Sequence, residues 1–297
     1  MKVVVFGFSV TGDTPGYVEF WKKNYADRHP DINLEKVGIG GIQPPQGRHL
    51  VSWIIRKHQP DILILEISTP IYRMRLGDEK DITEHTDTVN FLVELCAKNN
   101  IRCGFIDLPQ ERLVIESDWL GRIHHKLLGS YGVPLVSVGL TPGTLRDAVH
   151  PNDTGRDIYA AALEQLIEQT LTSSPENYHL AKSDRMFDAI HVAEIERTGG
   201  EFVDFERNGF RTKMLQLAAE QSATFHLSRP MEIVGVIVAM GPVTGYMAIR
   251  INGSSNIICC YDKHCYYLRL GSPPIEAKTS DNVTVTQGKN VPRLRTH

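Results

Sequence analysis

The sequence has 297 residues, of which 41% are hydrophobic and 23% are charged. This composition is typical of a soluble globular protein, and the length suits one large domain or two ordinary ones. The formal net charge is −3, so we expect neither nucleic acid nor a membrane as a partner, because nucleic acids and anionic membranes favour basic surfaces. No apolar stretch is long enough to span a bilayer and no secretory signal follows Met1, so we expect a cytoplasmic protein.

The five cysteines are an odd number without a dense framework, which indicates free thiols in a reducing compartment. Cys259, Cys260, His264 and Cys265 lie close enough in the sequence to raise a zinc site as an alternative. Their spacing matches no recognised zinc-ligand pattern, so the sequence favours packing roles for them. We therefore expect no metal.

The first part of the chain, residues 1 to 175, alternates short apolar runs with helical stretches. Short continuous apolar runs are typical of parallel strands that are buried on both faces. The pattern predicts strands at 3–6, 62–65, 102–106 and 135–138, and helices at 16–28, 47–57, 87–98, 119–128 and about 152–170. This alternation predicts a three-layer α/β domain with a doubly wound parallel sheet, whose ligands lie beyond the carboxyl ends of the strands.

The second part, residues 176 to 297, follows the helix-breaking stretch TSSPEN at 172–177. Closely spaced strands with intervening turns predict an antiparallel β-sandwich. These strands are predicted at 191–195, 202–205, 224–227, 233–239, 246–251, 256–261 and 265–270. Their apolar residues are candidates for a homo-oligomer interface or a carbohydrate-binding surface, and the basic end at 289–297 is predicted as a loose tail or an edge strand.

Two stretches suggest a hydrolytic triad. In FGFSVTGDTPG, Ser9 stands where the first apolar strand ends, and in DAVHPNDTG, Asp147 and His150 stand three residues apart just before a helix. A carboxylate at this spacing can bind one imidazole nitrogen while the other takes a proton from a nucleophile. Each residue alone has a common role in turns and caps. Together they predict Ser9 as nucleophile, His150 as base and Asp147 as the residue that orients the base.

A third stretch, VGIGGIQ at 37–43, contains three glycines that allow tight turns and exposed backbone N–H groups. Such groups can stabilise an oxyanion without any side chain. A phosphate-binding loop is the alternative, but GFSVTG is neither GxGxxG nor a P-loop, and no ribose-binding acid is clearly placed. The sequence therefore favours an oxyanion hole over a nucleotide site.

A serine after the first strand, a glycine-rich loop after the second and Asp-x-x-His-Pro before the last helix resemble the SGNH/GDSL hydrolase family, over about residues 1–172. The resemblance implies an SGNH-type fold and gives the three triad roles to Ser9, His150 and Asp147. It also implies an oxyanion hole built from the backbone N–H groups of Ser9 and Gly41, with Gly40 as the nearest competitor.

The sequence departs from that family at two positions. Phe8 stands where the family usually has an acidic residue, and Pro70 falls about where an asparagine side chain would contribute to the oxyanion hole. Ser68 or Thr69 could donate instead, or the hole could contain only backbone donors. Loss of one oxyanion donor lowers the rate on the order of a hundredfold or more, so slow hydrolysis or a different acyl acceptor is expected.

Several further residues are assigned by position alone. Thr69, Tyr72 and Arg73 follow the strand at 62–65 and are candidates for the substrate pocket. Glu66 ends the same strand, and the sequence leaves two alternatives open for it: contact with the site, or an ion pair with an arginine such as Arg73. A solvated helix face is favoured for the adjacent residues at 124 and 125, which are both histidines.

These observations predict a serine esterase that needs no cofactor and removes a short acyl group, acetyl in the first instance, from a carbohydrate or related alcohol. The carbohydrate follows only from the resemblance and the second domain. An O-acyltransferase that uses a sugar hydroxyl is one alternative, because the asparagine is missing. A non-catalytic carbohydrate-binding or assembly protein on the same scaffold is the other.

Overall fold

The computed structural model describes residues 1–70, 77–111, 118–178, 181–207, 210–262 and 267–288. The chain forms two compact units. The first contains the described residues up to Ala189 together with Phe210, and the second contains Ile190–Arg207 and the described residues from Arg211 onward. Within the described ranges, no helix combines the length and the apolar character needed to cross a membrane.

The first unit is built on a parallel sheet of five strands in the order β2-β1-β3-β4-β5. The predicted α/β fold class is therefore confirmed, and each of the four predicted strands is present. The sheet also contains an edge strand, β2, that has no continuous apolar run. The strands are β1 Lys2–Gly7, β2 Asn33–Gly38, β3 Ile62–Glu66, β4 Arg102–Asp107 and β5 Leu135–Ser137.

Capping side chains define where the helices of this unit begin. Asp78, Asp118 and Asn152 each accept a hydrogen bond from a backbone N–H of the first turn that follows them. The helix predicted from residue 87 consequently begins at Glu79. The helices are α1 Ser9–Gly12, α2 Tyr17–Tyr25, α3 Pro44–Gly47, α4 Val51–His58, α5 Glu79–Lys98, α6 Trp119–Tyr131 and α7 Asp153–Leu171.

The core of the first unit lies between the sheet and helices α2 and α7. Trp21 of α2 and Tyr159 of α7 pack with strand residues such as Val5 and Ile64, and all four are fully or almost fully buried. Burial of apolar area on this scale is the main stabilising contribution to a fold. It fixes the carboxyl ends of the strands, and the predicted triad lies in the loops at those ends.

The first unit continues beyond the boundary predicted at residue 175. Tyr178 is fully buried and donates its hydroxyl to the backbone carbonyl of Cys103 in β4. Further along, the hydroxyl of Ser183 donates to Asp87 on α5. These contacts attach the segment after α7 to the α/β unit.

The second unit contains an antiparallel sheet of five strands in the order β12-β11-β14-β9-β6, with two smaller sheets, β10-β13 and β7-β8. The predicted antiparallel region is confirmed, with different strand limits. The stretch predicted as a strand at 191–195 contains a 3₁₀ turn, Val192–Glu194. The strands are β6 Glu196–Thr198, β7 Glu201–Arg207, β8 Phe210–Gln216, β9 Ser222–Gly235, β10 Val238–Met240, β11 Tyr246–Ile251, β12 Ser254–Cys259, β13 Arg269–Gly271 and β14 Pro274–Gln287.

The described cysteines, Cys96, Cys103, Cys259 and Cys260, are free thiols. Of the residues considered for a zinc site, Cys260 is buried and Cys259 is exposed. The other two candidates, at positions 264 and 265, lie outside the described residues, as does the basic end at 289–297.

Candidate active site

Ser9 lies in the tight turn that follows β1. The strand ends at Gly7, and Ser9 is the first residue of the short helix α1. A side chain at position 7 would overlap Thr11, so only glycine lets the chain turn back this closely. Ser9 is partly exposed while Phe8 and Val10 beside it are buried, and its hydroxyl makes no hydrogen bond to any described residue. The turn therefore presents a hydroxyl that is available for chemistry.

Asp147 and His150 form a directly bonded pair in the loop before α7. The imidazole Nδ1 of His150 lies 3.0 Å from both carboxylate oxygens of Asp147. Asp147 Oδ1 also accepts the backbone N–H groups of Val149, at 3.0 Å, and of His150, at 2.8 Å. With the proton on Nδ1 directed to Asp147, Nε2 of His150 is the basic atom. This is the arrangement required of a base and its orienting acid.

The ionisation of Asp147 suits that role. Partial burial raises the pKa of its carboxyl, but the hydrogen bonds from Val149 and His150 outweigh burial, so the pKa is lowered overall. Asp147 therefore stays an anion at neutral pH, and an anion at Nδ1 stabilises the imidazolium that forms when His150 takes a proton.

Asp13 connects the Ser9 turn to the loop of Asp147 and His150. Its carboxylate accepts a hydrogen bond from Nη2 of Arg146, the residue before Asp147, at 2.9 Å. It accepts a second one from Nη2 of Arg156, on α7, at 3.2 Å. The fold thus brings the two halves of the predicted triad to one region. Ser9 Oγ and His150 Nε2 make no hydrogen bond with each other among the described residues. Catalytic hydrogen bonds of this kind often tighten only in the substrate complex.

The glycine-rich loop follows β2, beside the Ser9 turn. A side chain at Gly38 would overlap the backbone of Gly12, the last residue of α1, so glycine lets the two segments meet. Gly41 has a φ of 90°, in the left-handed region that favours glycine. Gly41 is exposed and Gly40 is buried. Exposure favours Gly41 over Gly40 as the predicted backbone donor.

Comparison with solved structures identifies the fold. The chain is similar to a two-domain esterase (CEX) active on acetylated mannans, with 14% identity over 100% of this chain and 88% of that chain and a TM-score of 0.61. The structure of that esterase co-crystallized with mannopentaose matches 99% of this chain and 87% of the other at 14% identity, with a TM-score of 0.62. An acetyl xylan esterase matches 56% of this chain at 18% identity, covering 100% of that chain, with a TM-score of 0.48. No protein-family model and no curated protein matches the sequence.

The chain has an SGNH/GDSL hydrolase fold. The parallel sheet with flanking helices is what the resemblance of the sequence implied, and the separate antiparallel region is what the strand pattern of the second part predicted.

The turn after β3 contains no asparagine whose side chain could donate to the predicted oxyanion hole. Thr69, which the sequence suggested as a substitute donor and as a pocket residue, is buried. Its backbone N–H and its hydroxyl donate to Glu66 Oε1, at 3.1 and 2.8 Å. Ser68 is also fully buried and accepts the N–H of Leu108. Both protons of Thr69 are therefore engaged. The other two pocket candidates, Tyr72 and Arg73, lie outside the described residues.

Glu66 is the residue of the candidate site that sequence reasoning left undecided. The structure places it in contact with the site, because its Oε2 accepts the N–H of Phe8, next to Ser9, at 3.3 Å. Burial raises the pKa of its carboxyl to about 7, against the lowering effect of hydrogen bonds from Thr69, Phe8 and Thr11. The sequence signal was a glutamate at the end of an otherwise apolar strand.

The prediction of a solvated face for the two adjacent histidines is wrong for His124, which is fully buried. Its Nδ1 lies 2.6 Å from Asp107 Oδ1 and its Nε2 lies 2.8 Å from Nε2 of His85. His125 is exposed, as predicted. The face of α6 that carries His124 therefore packs into the interior.

One group of side chains in the described residues has metal-ligand chemistry. His29, Glu164 and Glu168 have atoms within 4.8 Å of one another. Glu164 is already bonded to His29, at 2.8 Å, and to the indole N–H of Trp21, at 2.7 Å. These bonds connect α7 to α2 and to the segment that follows it.

Proposed function

We propose that this protein is a serine esterase that removes a short acyl group, acetyl in the first instance, from a carbohydrate or related alcohol. The observation that carries the proposal is the bonded pair of Asp147 and His150, joined through Asp13 to the turn that holds the partly exposed Ser9. A nucleophile, its base and the orienting acid are the minimum set for acyl transfer.

In the proposed reaction, Ser9 Oγ attacks the ester carbonyl while His150 Nε2 takes its proton. The backbone N–H groups of Ser9 and Gly41 stabilise the oxyanion of the tetrahedral intermediate. His150 returns the proton to the leaving alcohol, which leaves an acyl group on Ser9. A water molecule, deprotonated by His150, then attacks the acyl carbonyl. The bond from that carbon to Ser9 Oγ breaks, His150 returns the proton to Oγ, and the carboxylic acid leaves. The Asp147 carboxylate stabilises the imidazolium in both steps.

The carbohydrate part of the proposal is supported by the two-domain esterase active on acetylated mannans, whose fold matches this chain across both of its units. The second unit adds a further sheet to the chain, and attached domains of this kind commonly bind the polymer or a partner. Acetylated manno-oligosaccharides are therefore the first substrates to test.

The test is acetate release from acetylated manno-oligosaccharides and from p-nitrophenyl acetate, for the wild-type protein and for Ser9→Ala. We expect the variant to lose on the order of a thousandfold or more in kcat, because it lacks the hydroxyl that forms the acyl-enzyme. Ser222→Ala is the matched control, since this serine lies in β9 of the second unit. Unchanged turnover in Ser9→Ala, or no turnover in the wild type, would contradict the proposal.

An O-acyltransferase is the second candidate, favoured by one observation. Pro70 replaces the asparagine and both protons of Thr69 are bound to Glu66, so the site has fewer oxyanion donors than its fold usually provides. Adding an unacetylated sugar to the assay distinguishes the two reactions. A transferase consumes the donor faster and forms an acetylated sugar, whereas a hydrolase is unaffected.

A further inference from the structure

The carboxylate of Glu66 lies between two turns of the candidate site. Glu66 is the last residue of β3 and pairs in register with Gly7, the last residue of β1. Its side chain is completely buried. The turn after β1 carries Ser9, and the turn after β3 carries Pro70 in place of the asparagine. A buried carboxylate at this position can bond to both turns.

Oxygen Oε2 of Glu66 bonds to the Ser9 turn. It accepts the backbone N–H of Phe8 at 3.3 Å and the hydroxyl of Thr11 at 3.1 Å. The Thr11 hydroxyl also lies 2.9 Å from the hydroxyl of Tyr17. Since the proton of Thr11 goes to Glu66, Tyr17 donates to Thr11. The residues on both sides of Ser9 are thus fixed to one oxygen.

Oxygen Oε1 bonds to the turn after β3 through the N–H and hydroxyl of Thr69. The carbonyls of the same turn are also bound. The side-chain amide of Gln110, itself fully buried, donates to the carbonyls of Thr69, at 2.7 Å, and of Pro70, at 3.2 Å. This turn is therefore fixed from two directions by buried polar side chains.

Only an ionised carboxylate accepts all of these bonds at once. The four donors to Glu66 are two backbone N–H groups and two threonine hydroxyls. A threonine hydroxyl can rotate, but a backbone N–H cannot. An amide in place of the carboxylate turns an NH₂ group toward one of the two backbone donors, and a buried donor without an acceptor destabilises the local structure.

We propose that Glu66 is a positioning residue for the reaction, which holds the turn of Ser9 and the turn of Thr69 at a fixed separation. This inference rests on the proposed function. Glu66 touches neither the nucleophile nor the acyl group. It acts through the backbone of Phe8, so that the hydroxyl and the N–H of Ser9 are held in place in a site that lacks the asparagine donor. Preorganised donors of this kind are the main source of oxyanion stabilisation.

The proposal predicts a pH effect. Burial raises the pKa of Glu66 to about 7, so its protonation removes an acceptor from one turn as the pH falls. Among the described residues, the titratable groups that interact with its charge are the hydroxyls of Tyr17, on α2, and Tyr159, on α7. Burial and the charge of Glu66 raise the pKa of both, so they remain neutral across this range.

The test compares Glu66→Gln with Glu164→Gln in the full-length protein. Glu164 is the matched control because it is also buried and hydrogen-bonded, but to Trp21 and His29. We expect Glu66→Gln to lower kcat about ten- to a hundredfold with little change in KM, since small misplacements of a reacting group have effects of this size. In the wild type, kcat/KM should decrease on the acid limb of its pH profile partly because Glu66 is protonated there. Glu66→Gln should lack that part of the decrease. Glu164→Gln should retain the wild-type kcat and pH profile.

Thr11→Val provides a second variant in case Glu66→Gln does not fold. It removes one donor to Oε2 and leaves the other three bonds. Loss of that donor raises the pKa of Glu66 further, so the acid limb should move to higher pH. The inference is overturned if a folded Glu66→Gln, or Thr11→Val in its place, retains the wild-type kcat and acid limb while Ser9→Ala is inactive. Activity in Ser9→Ala would instead overturn the proposed function.

Discussion

The two units of this protein are stabilised in different ways. In the first unit the central strands are buried along their whole length, as in β3, where all five residues have no exposed surface. In the second unit the strands alternate. Ile249 and Ile251 of β11 are buried, while Arg250 between them is exposed. A sheet covered on both faces leaves polar side chains only at its strand ends, whereas a one-sided sheet exposes them along its whole length.

This difference explains where chemistry is possible. In the first unit the polar groups of Ser9, Glu66 and Asp107 all lie at or just after the carboxyl ends of parallel strands, where an α/β sheet binds its ligands. In the second unit hydroxyls cover an open face and bond across strands, as between Ser222 and Thr286 at 2.8 Å. Polar groups are concentrated and partly buried in the first case, and spread and solvated in the second. Three predictions test this contrast.

The largest effect is expected for the pH dependence of stability. The pKa of Glu66 is about 7 in the folded chain and has a usual value of 4.5. Between these values the folded protein holds a proton that the unfolded chain releases. The free energy of unfolding therefore falls as pH rises through this window, by about 1.4 kcal/mol per unit of pKa shift or roughly 3 kcal/mol in all, and levels off above pH 7. Glu66→Gln should lack this fall.

Urea unfolding followed by tryptophan fluorescence measures this fall in the free energy of unfolding. The fluorescence reports on the first unit, because all three tryptophans of the chain lie there: Trp21, Trp53 and Trp119. Glu276→Gln is the control from the second unit. Glu276 is exposed, and hydrogen bonds from Lys278 and Ser254 lower the pKa of its carboxyl, so it does not titrate in this window. If the free energy of unfolding changes with pH in the same way in the wild type and in Glu66→Gln, the buried carboxylate of the first unit affects stability no more than the exposed carboxylate of the second. That result would contradict the contrast between the units.

The sequence pointed to candidate residues in short stretches of the chain and missed the contacts between distant residues. Ser9 and the pair of Asp147 and His150 lie in short stretches whose residue types suggest their chemistry. The partners of Glu66 come from the turns after β1 and β3, and Asp13 reaches arginines more than a hundred residues away in the chain. No local pattern encodes contacts of that kind, so they could be assigned only from the fold.

The missed strands have the same physical explanation. Edge strand β2 buries Leu34 and Val37 but leaves Glu35 and Lys36 partly exposed, so it lacks the apolar run by which its neighbours were predicted. Strand β14 begins at a proline and contains charged residues, and only its later part alternates clearly. For His124 a signal was present. It lies four residues from both Leu120 and Leu128, which are also buried, at the spacing of one helix face.

The second prediction concerns the bridge between the two halves of the site. Asp13→Ala removes the carboxylate that binds Arg146 and Arg156. We expect kcat/KM to fall about tenfold, because small misplacements of reacting groups slow reactions by up to about a hundredfold and the bond between Asp147 and His150 remains to hold the base. Steady-state kinetics on p-nitrophenyl acetate measures it.

The control for Asp13→Ala is Asp153→Ala. Asp153 is largely exposed and also binds Arg156, so this variant weakens one ion pair but leaves the bridge through Asp13 intact. Its kcat/KM should stay near that of the wild type. Equal losses in the two variants would indicate that Arg156, and not the bridge, determines the activity.

The smallest effect is expected on the open face of the second unit. Thr224 and Thr284 face each other across β9 and β14, with their hydroxyl oxygens 3.1 Å apart. Val283 and Val285 are buried on the opposite face. Replacing both threonines with valine preserves the β-branched shape and removes only the hydroxyl pair. Cross-strand pairs of this kind contribute about 0.2–1 kcal/mol, so the double-mutant cycle measured by calorimetry should give a coupling in that range, with unchanged esterase kinetics. A coupling of several kcal/mol would mean that the hydroxyls of this face are as strongly interdependent as the buried polar groups around Glu66, and the contrast between the two units would fail.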